Sequence, residues 1–182
     1  YKFRGQNISY GAIMIPFLIP EIILAVAILV IWLSLGFKLG LVPVTLGHIL
    51  FCTPFAMLIL IARIEGFDFS LEEASRDLGE NAWGTFYRVS LPLYLPGIIA
   101  SLLLSFIISF DEFVLAFFLT GSDATLPMYM WAQMRFIQKL PHVLALGAVI
   151  IVFTTFIVLL AFWLRNLGQG KEKAEFGIKI HE

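Results

Sequence analysis

Three carboxylates stand inside stretches of sequence that are otherwise almost wholly apolar. Glu21 follows Pro16 and Pro20 in GAIMIPFLIPEIILAVAILVIWLSL, and Asp111 and Glu112 interrupt SLLLSFIISFDEFVLAFFL. An ionised carboxylate at the centre of a hydrocarbon layer costs about 2.5–3.5 kcal/mol on insertion scales, so such groups face a cavity or a partner. Phe110, Phe113 and Trp32 flank these acids in the sequence, and each ring face attracts a cation by about 0.5–2 kcal/mol. Carboxylates separated by aromatic surface suit a flexible organic polycation, whose charges meet the acids and whose methylenes lie on the rings. Two other uses stay open: Glu21 can hydrogen-bond backbone freed by Pro16 and Pro20, and the Asp111–Glu112 pair can contact another chain. His48, alone in its apolar run, reads as a packing histidine rather than a ligand.

No other constellation of reactive groups stands out. The single cysteine, Cys52, excludes an internal disulfide and a cysteine-rich metal site. Gly170-Lys171-Glu172 lacks the leading glycine spacing and the Ser/Thr of a phosphate-binding loop. We therefore expect no catalytic residues, no metal and no cofactor bound by this chain. The net charge of −1 leaves no footprint for nucleic acid.

The elements that must carry the acids follow from hydropathy. Of the 182 residues, 60% are hydrophobic, and the mean hydropathy is +0.93, well above the roughly half-apolar usage of soluble domains. Four runs approach the ~20 residues needed to cross a bilayer: about 11–35, 44–62, 97–119 and 143–164. None alternates as a barrel strand would, and hydrocarbon forces each to satisfy its own backbone as a helix. The sequence thus predicts an all-α, polytopic integral membrane helix bundle with four spans. Nine of the twelve Lys and Arg fall on one side if both ends face the cytoplasm, the positive-inside pattern. That orientation makes 63–96 a cytoplasmic loop and 165–182 a polar cytoplasmic tail. The chain opens at Tyr1 with neither a charged n-region nor a cleavage site, so we expect a piece of a longer protein with at least one further span upstream.

The loop 63–96 contains the most charged stretch, SLEEASRDLG (70–79). Ser70 with Glu73 three residues on predicts a capping box. Leu71, Ala74, Ser75 and Leu78 share a helical face, with Glu72, Arg76 and Asp77 pointing elsewhere. Gly79 sits where a left-handed terminator is wanted. A second short helix is expected from Asn81, with Ala82, Trp83 and Phe86 on one side, ended by Ser90-Leu91-Pro92 before the chain re-enters the membrane.

EASRDLGENAWGTFYRVSLP (73–92) resembles the EAA signature of permease subunits in binding-protein-dependent ABC importers. Glu73, Ala74, Gly79, Leu91 and Pro92 match at the family spacing, while Ser75 replaces the third Ala and Val89 the Ile. PFLIPEIILAVAI and SFDEFVLAFFLTGSDATLPMYMW look like the spermidine/putrescine branch of that family. The resemblance implies a type-I ABC permease fold in a bacterial inner membrane. It also implies a second permease subunit, a dimer of separate ATPases that bind the ATP and Mg, and an external solute-binding protein. It makes Ser70, Glu73, Ala74, Ser75, Leu78, Gly79 and Trp83 the coupling residues. It makes Glu21, Trp32, Phe110, Asp111, Glu112 and Phe113 candidates for the substrate path. Ferric iron or another small solute remains an alternative cargo, because the loop does not encode substrate. An ion-coupled carrier that uses the buried acids as a relay remains an alternative mechanism.

Overall fold

The computed structural model describes the backbone of residues 4–66 and 68–178, and side chains as far as residue 163. The described residues form helices joined by turns and short irregular connections, with no strand. Nine α-helices follow in order: α1 (Gln6–Leu18), α2 (Glu21–Ser34), α3 (Leu41–Glu65), α4 (Ser70–Asp77), α5 (Ala82–Thr85), α6 (Leu91–Asp111), α7 (Val114–Leu119), α8 (Leu126–Gln133) and α9 (Leu140–Ile178).

Among the described residues, three helical stretches are long and apolar enough to cross a membrane: Leu41–Glu65, Ala82–Asp111 and Ile137–Trp163. The predicted first span, 11–35, is not one straight helix. It breaks at Ile19-Pro20 into α1 and α2, which are bent by 104°. Pro20 takes a φ of −52° and a ψ of 130°, which leaves the helical path and restarts it with Glu21 in the first turn of α2. Hydropathy is continuous across this break, so the apolar run alone could not reveal it. The predicted third span, 97–119, is likewise divided, because α6 ends at Asp111 and α7 begins at Val114.

The chain forms two compact units, 1–55 with 105–154, and 56–104 with 155–182. The first has a small core of Ala25, Val44, Leu115, Ala116 and Leu119, flanked by Ile28, Leu29 and Phe51. Gly47 admits this packing: a Cβ there would stand 3.0 Å from Leu119 Cδ1 and 3.6 Å from Leu115 Cδ2. In the second unit, a Cβ at Gly97 would stand 2.7 Å from Arg63 Cγ, so the glycine lets the arginine stem lie against α6. Arg63 then donates from Nη2 to the Leu93 carbonyl at 3.1 Å.

Much of the apolar surface points outward. On α9, Leu144, Val149, Ile151, Val152, Phe156 and Leu159 are all exposed, as suits helices whose neighbours are lipid or other chains rather than water.

Candidate functional site

Two groups of residues carry the functional reading, one in each unit. In the unit built from 56–104 and 155–182, the charged stretch forms α4, but its start differs from the capping box expected at Ser70. Ser70 is the first helical residue rather than the cap, and no side chain caps from Phe69. Asp68 does that work instead. Its Oδ1 accepts from the Ser70 N–H at 3.0 Å, while the Glu72 and Glu73 N–H groups reach the Phe69 carbonyl. The helix therefore begins one residue earlier than the Ser/Glu pattern suggests, and Glu73 faces outward.

The end of α4 follows expectation. Gly79 adopts φ +90°, its N–H donates to the Arg76 carbonyl at 2.9 Å, and the Glu80 N–H donates to the Ser75 carbonyl at 3.2 Å. These are the paired bonds of a Schellman terminator. A Cβ at Gly79 would meet nothing within 4 Å, so backbone conformation alone demands glycine here. Asn81 then opens α5, its Oδ1 accepting from the Gly84 N–H at 2.8 Å.

Ser90-Leu91-Pro92 does not end the second helix. α5 passes through a wider π-helical turn, Phe86–Ser90, directly into α6. The Leu91 N–H reaches back five residues to the Phe86 carbonyl. The wider turn takes in Pro92, which has no N–H to offer and whose ring crowds the carbonyl four residues back. The arm leaving α4 is consequently one helical stretch, Ala82–Asp111.

The face of α4 that meets this arm is polar. Glu72 Oε1 accepts from Ser90 Oγ at 2.6 Å, and Ser75 Oγ lies 3.1 Å from Thr85 Oγ1. Ser75 therefore turns inward, away from Leu71, Ala74 and Leu78, which are exposed with Glu73. Leu78 is 87% exposed and Trp83 is 72% exposed. Trp83 stacks with Tyr87 at 6.2 Å and meets Phe86 edge-on at 6.5 Å. The result is a short stiff element with an unpartnered apolar and aromatic outer surface. Glu72, Thr85 and Ser90 had no local signal in the sequence, since each bond joins residues ten or more positions apart.

In the unit built from 1–55 and 105–154, the membrane acids separate into two environments. Glu112 is buried at 5% exposure, and its two oxygens accept from the Leu115 N–H at 2.9 and 3.1 Å, satisfying the start of α7. Glu21 stands in the first turn of α2. Two helix beginnings, α2 and α7, thus each carry a carboxylate, where the positive end of the peptide dipoles favours it. Nearby, His48 Nδ1 lies 2.8 Å from Ser109 Oγ, while its Nε2 is buried without a partner among the described residues.

Asp111 is exposed and helps line a cavity of about 520 Å³ together with Phe110, Phe113, Met130, Trp131 and Thr154. Phe113 and Trp131 have centroids 5.9 Å apart, and Arg135 Cζ sits 4.4 Å over the Trp131 ring. Asp111, Phe110 and Phe113 are thus brought together as the sequence suggests, with Trp131 as an added wall. Trp32 does not join them. It lies eleven residues beyond Glu21 on α2, about 16 Å along the axis, packs on Phe37 at 5.0 Å and donates from Nε1 to the Lys38 carbonyl at 2.9 Å.

A family profile described as "Binding-protein-dependent transport system inner membrane component" matches residues 1–170. The chain is 32% identical over 178 residues to the spermidine/putrescine transport system permease protein PotC of Escherichia coli K12, covering 97% of this chain and 66% of that protein. It is 33% identical over 162 residues to PotC of Haemophilus influenzae, covering 88% and 63%. It is also 33% identical over 141 residues to the putrescine transport system permease protein PotI of Escherichia coli K12, covering 74% and 50%. The chain spans just under two thirds of the length of the PotC proteins it matches. An all-helical membrane architecture, a glycine-terminated charged loop and a profile match along nearly the whole chain establish that it belongs to the family of binding-protein-dependent transport system inner membrane components.

Proposed function

We propose that this chain is the membrane-spanning part of a permease subunit in an ATP-driven importer of polyamines. Its loop 63–96 faces the cytoplasm and docks α4 on a separate ATPase. A second permease subunit completes the path, and an external binding protein delivers the substrate. The observation that carries the substrate class is the cavity wall: one exposed carboxylate, Asp111, shares the lining with Phe110, Phe113 and Trp131. A primary ammonium group gains Coulomb attraction at the carboxylate and cation–π attraction at the rings, while the methylene chain replaces water on apolar surface. The identities to PotC and PotI support the same cargo. The chain contributes no hydrolytic chemistry; its task is to convert movement of α4 into a change of access along the acids.

Reconstitution of the full permease pair with its ATPases in proteoliposomes tests this reading. Uptake of labelled spermidine or putrescine should require ATP and the loaded binding protein, and an Asp111→Asn variant should raise the apparent KM about tenfold. Uptake driven by an ion gradient without ATPase would instead establish a carrier. Transport of ferric iron in place of polyamine would retain the machine and discard the cargo.

A further inference from the structure

The two bonds that tie α4 to its arm fall on either side of the one irregular joint in that arm. Thr85 is the residue before the π-helical turn and Ser90 is its last residue. Both are buried, at 2% and 3% exposure, and each finds its partner on α4: Ser75 for Thr85, Glu72 for Ser90. A π-helical turn interrupts the regular ladder of bonds and is a natural place for a helix to flex. Arg88, inside the turn, pairs with Glu80 just beyond α4, an exposed contact that adds little by itself.

We propose that Glu72 and Ser75 splint the π-helical joint, so that α4 and the start of α6 move as one body and displacement of α4 reaches the arm undamped. The inference rests on the reading of α4 as the ATPase-coupling element and assigns Glu72, Thr85 and Ser90 as positioning residues for it. Their task differs from docking. The surface presented to a partner is the opposite one, with Leu71, Ala74 and Leu78, whereas Glu72 and Ser75 face the chain's own arm. The acceptor at the Ser90 end is a carboxylate, which makes that bond the stronger of the two. Thr85 and Ser90 are enclosed, so loss of either partner strands a buried hydroxyl rather than handing it to water.

The test uses the complete permease–ATPase complex in nanodiscs with Glu72→Ala, Glu72→Gln, Ser90→Ala and Thr85→Val. Hydrogen exchange at the α4 amides reads the splint directly, and polyamine uptake per ATP hydrolysed reads the coupling. Glu72→Ala and Ser90→Ala should each speed α4 exchange about tenfold, the size expected for losing a hydrogen bond to a charged group. Both should lower uptake per ATP several-fold while the ATPase still co-purifies. The double variant should be no worse than either single one. Glu72→Gln keeps an oxygen that accepts from Ser90 and should rescue both readouts. Thr85→Val should act in the same direction, less strongly. Unchanged exchange in Glu72→Ala and Ser90→Ala would overturn the splint. Faster exchange with undiminished uptake per ATP would overturn its role in transmission. Failure of the wild-type complex to co-purify with an ATPase would overturn the coupling reading and the transmission that depends on it, leaving the exchange result to stand for the joint alone.

Discussion

His48 holds Ser109 through Nδ1 at 2.8 Å, and the other ring nitrogen is buried with no partner among the described residues. A histidine in that position has one ring nitrogen bonded and the other enclosed. It is half-bonded. Removing one partner from such a pair strands the other, at about 1–3 kcal/mol, whereas replacing both with apolar groups of similar shape is close to neutral. Ser109→Ala should therefore lower the melting temperature of the purified protein in detergent, and His48→Phe with Ser109→Ala should recover most of the loss. A double variant less stable than Ser109→Ala alone would show that His48 carries a further interaction.

Asp111 and Glu112 are adjacent in sequence but serve different ends. Glu112 is buried and caps α7, so Glu112→Ala removes a cap worth about 1–2 kcal/mol and should destabilise the protein. Asp111 faces the aromatic cavity, and Asp111→Asn should leave thermal stability within about 0.5 kcal/mol of wild type, as expected for exposed substitutions, while weakening polyamine uptake. Melting curves together with uptake kinetics separate the two. Equal stability losses in both variants would contradict the division of labour.

The apolar runs were legible because each span must enclose its own backbone bonds, and helical spans emerge wherever about 20 apolar residues occur. The breaks were harder to see. At Ile19-Pro20 only the Pro-then-acid order of Pro20-Glu21 hinted at a new helix start, and at the second break Asp111-Glu112 interrupt the apolar run without specifying that the helix ends there. Gly79 and Asn81 were readable because terminators and caps act through neighbours in the chain. Asp68 outcompeted Ser70 as the cap because its carboxylate reaches the Ser70 N–H from two residues upstream. Pro92 misled, because a π-helical turn supplies the room that an ordinary helix denies it. Glu72–Ser90 and Ser75–Thr85 join helices across the intervening turn, and Trp131 reaches the cavity from α8, so neither set leaves a local pattern.

Arg135 over Trp131 places a resident cation on the ring that lines the cavity. If that cavity receives an ammonium group, the guanidinium opposes it twice, by occupying a ring face and by like-charge repulsion. Arg135→Gln should lower the apparent KM for spermidine about two- to fivefold, in line with a cation–π attraction of about 0.5–1 kcal/mol at an exposed site. The gain should shrink as salt rises, because exposed charges are screened over roughly 8–10 Å. Trp131→Leu should raise KM whether or not Arg135 is present. An Arg135→Gln variant with higher KM would show that the arginine orients the ring rather than competing for it.

Gly79 offers the sharpest test of the coupling loop, because the site is sterically open and conformationally strict. Its φ of +90° lies in the region L-residues avoid, yet no atom stands within 4 Å of a built Cβ. Size and backbone preference are therefore separable at this position. Gly79→Asn should be tolerated best, since Asn enters left-handed conformations with the least penalty after Gly. Gly79→Ala should cost about 1 kcal/mol in the stability of α4, and Gly79→Val more, because branching at Cβ makes positive φ still less accessible. Uptake per ATP and hydrogen exchange at Glu80, whose N–H closes the terminator on Ser75, should fall and rise respectively in that same order. If uptake followed side-chain volume instead, with Asn worse than Ala, the glycine would be serving close approach of a partner rather than the turn that ends α4.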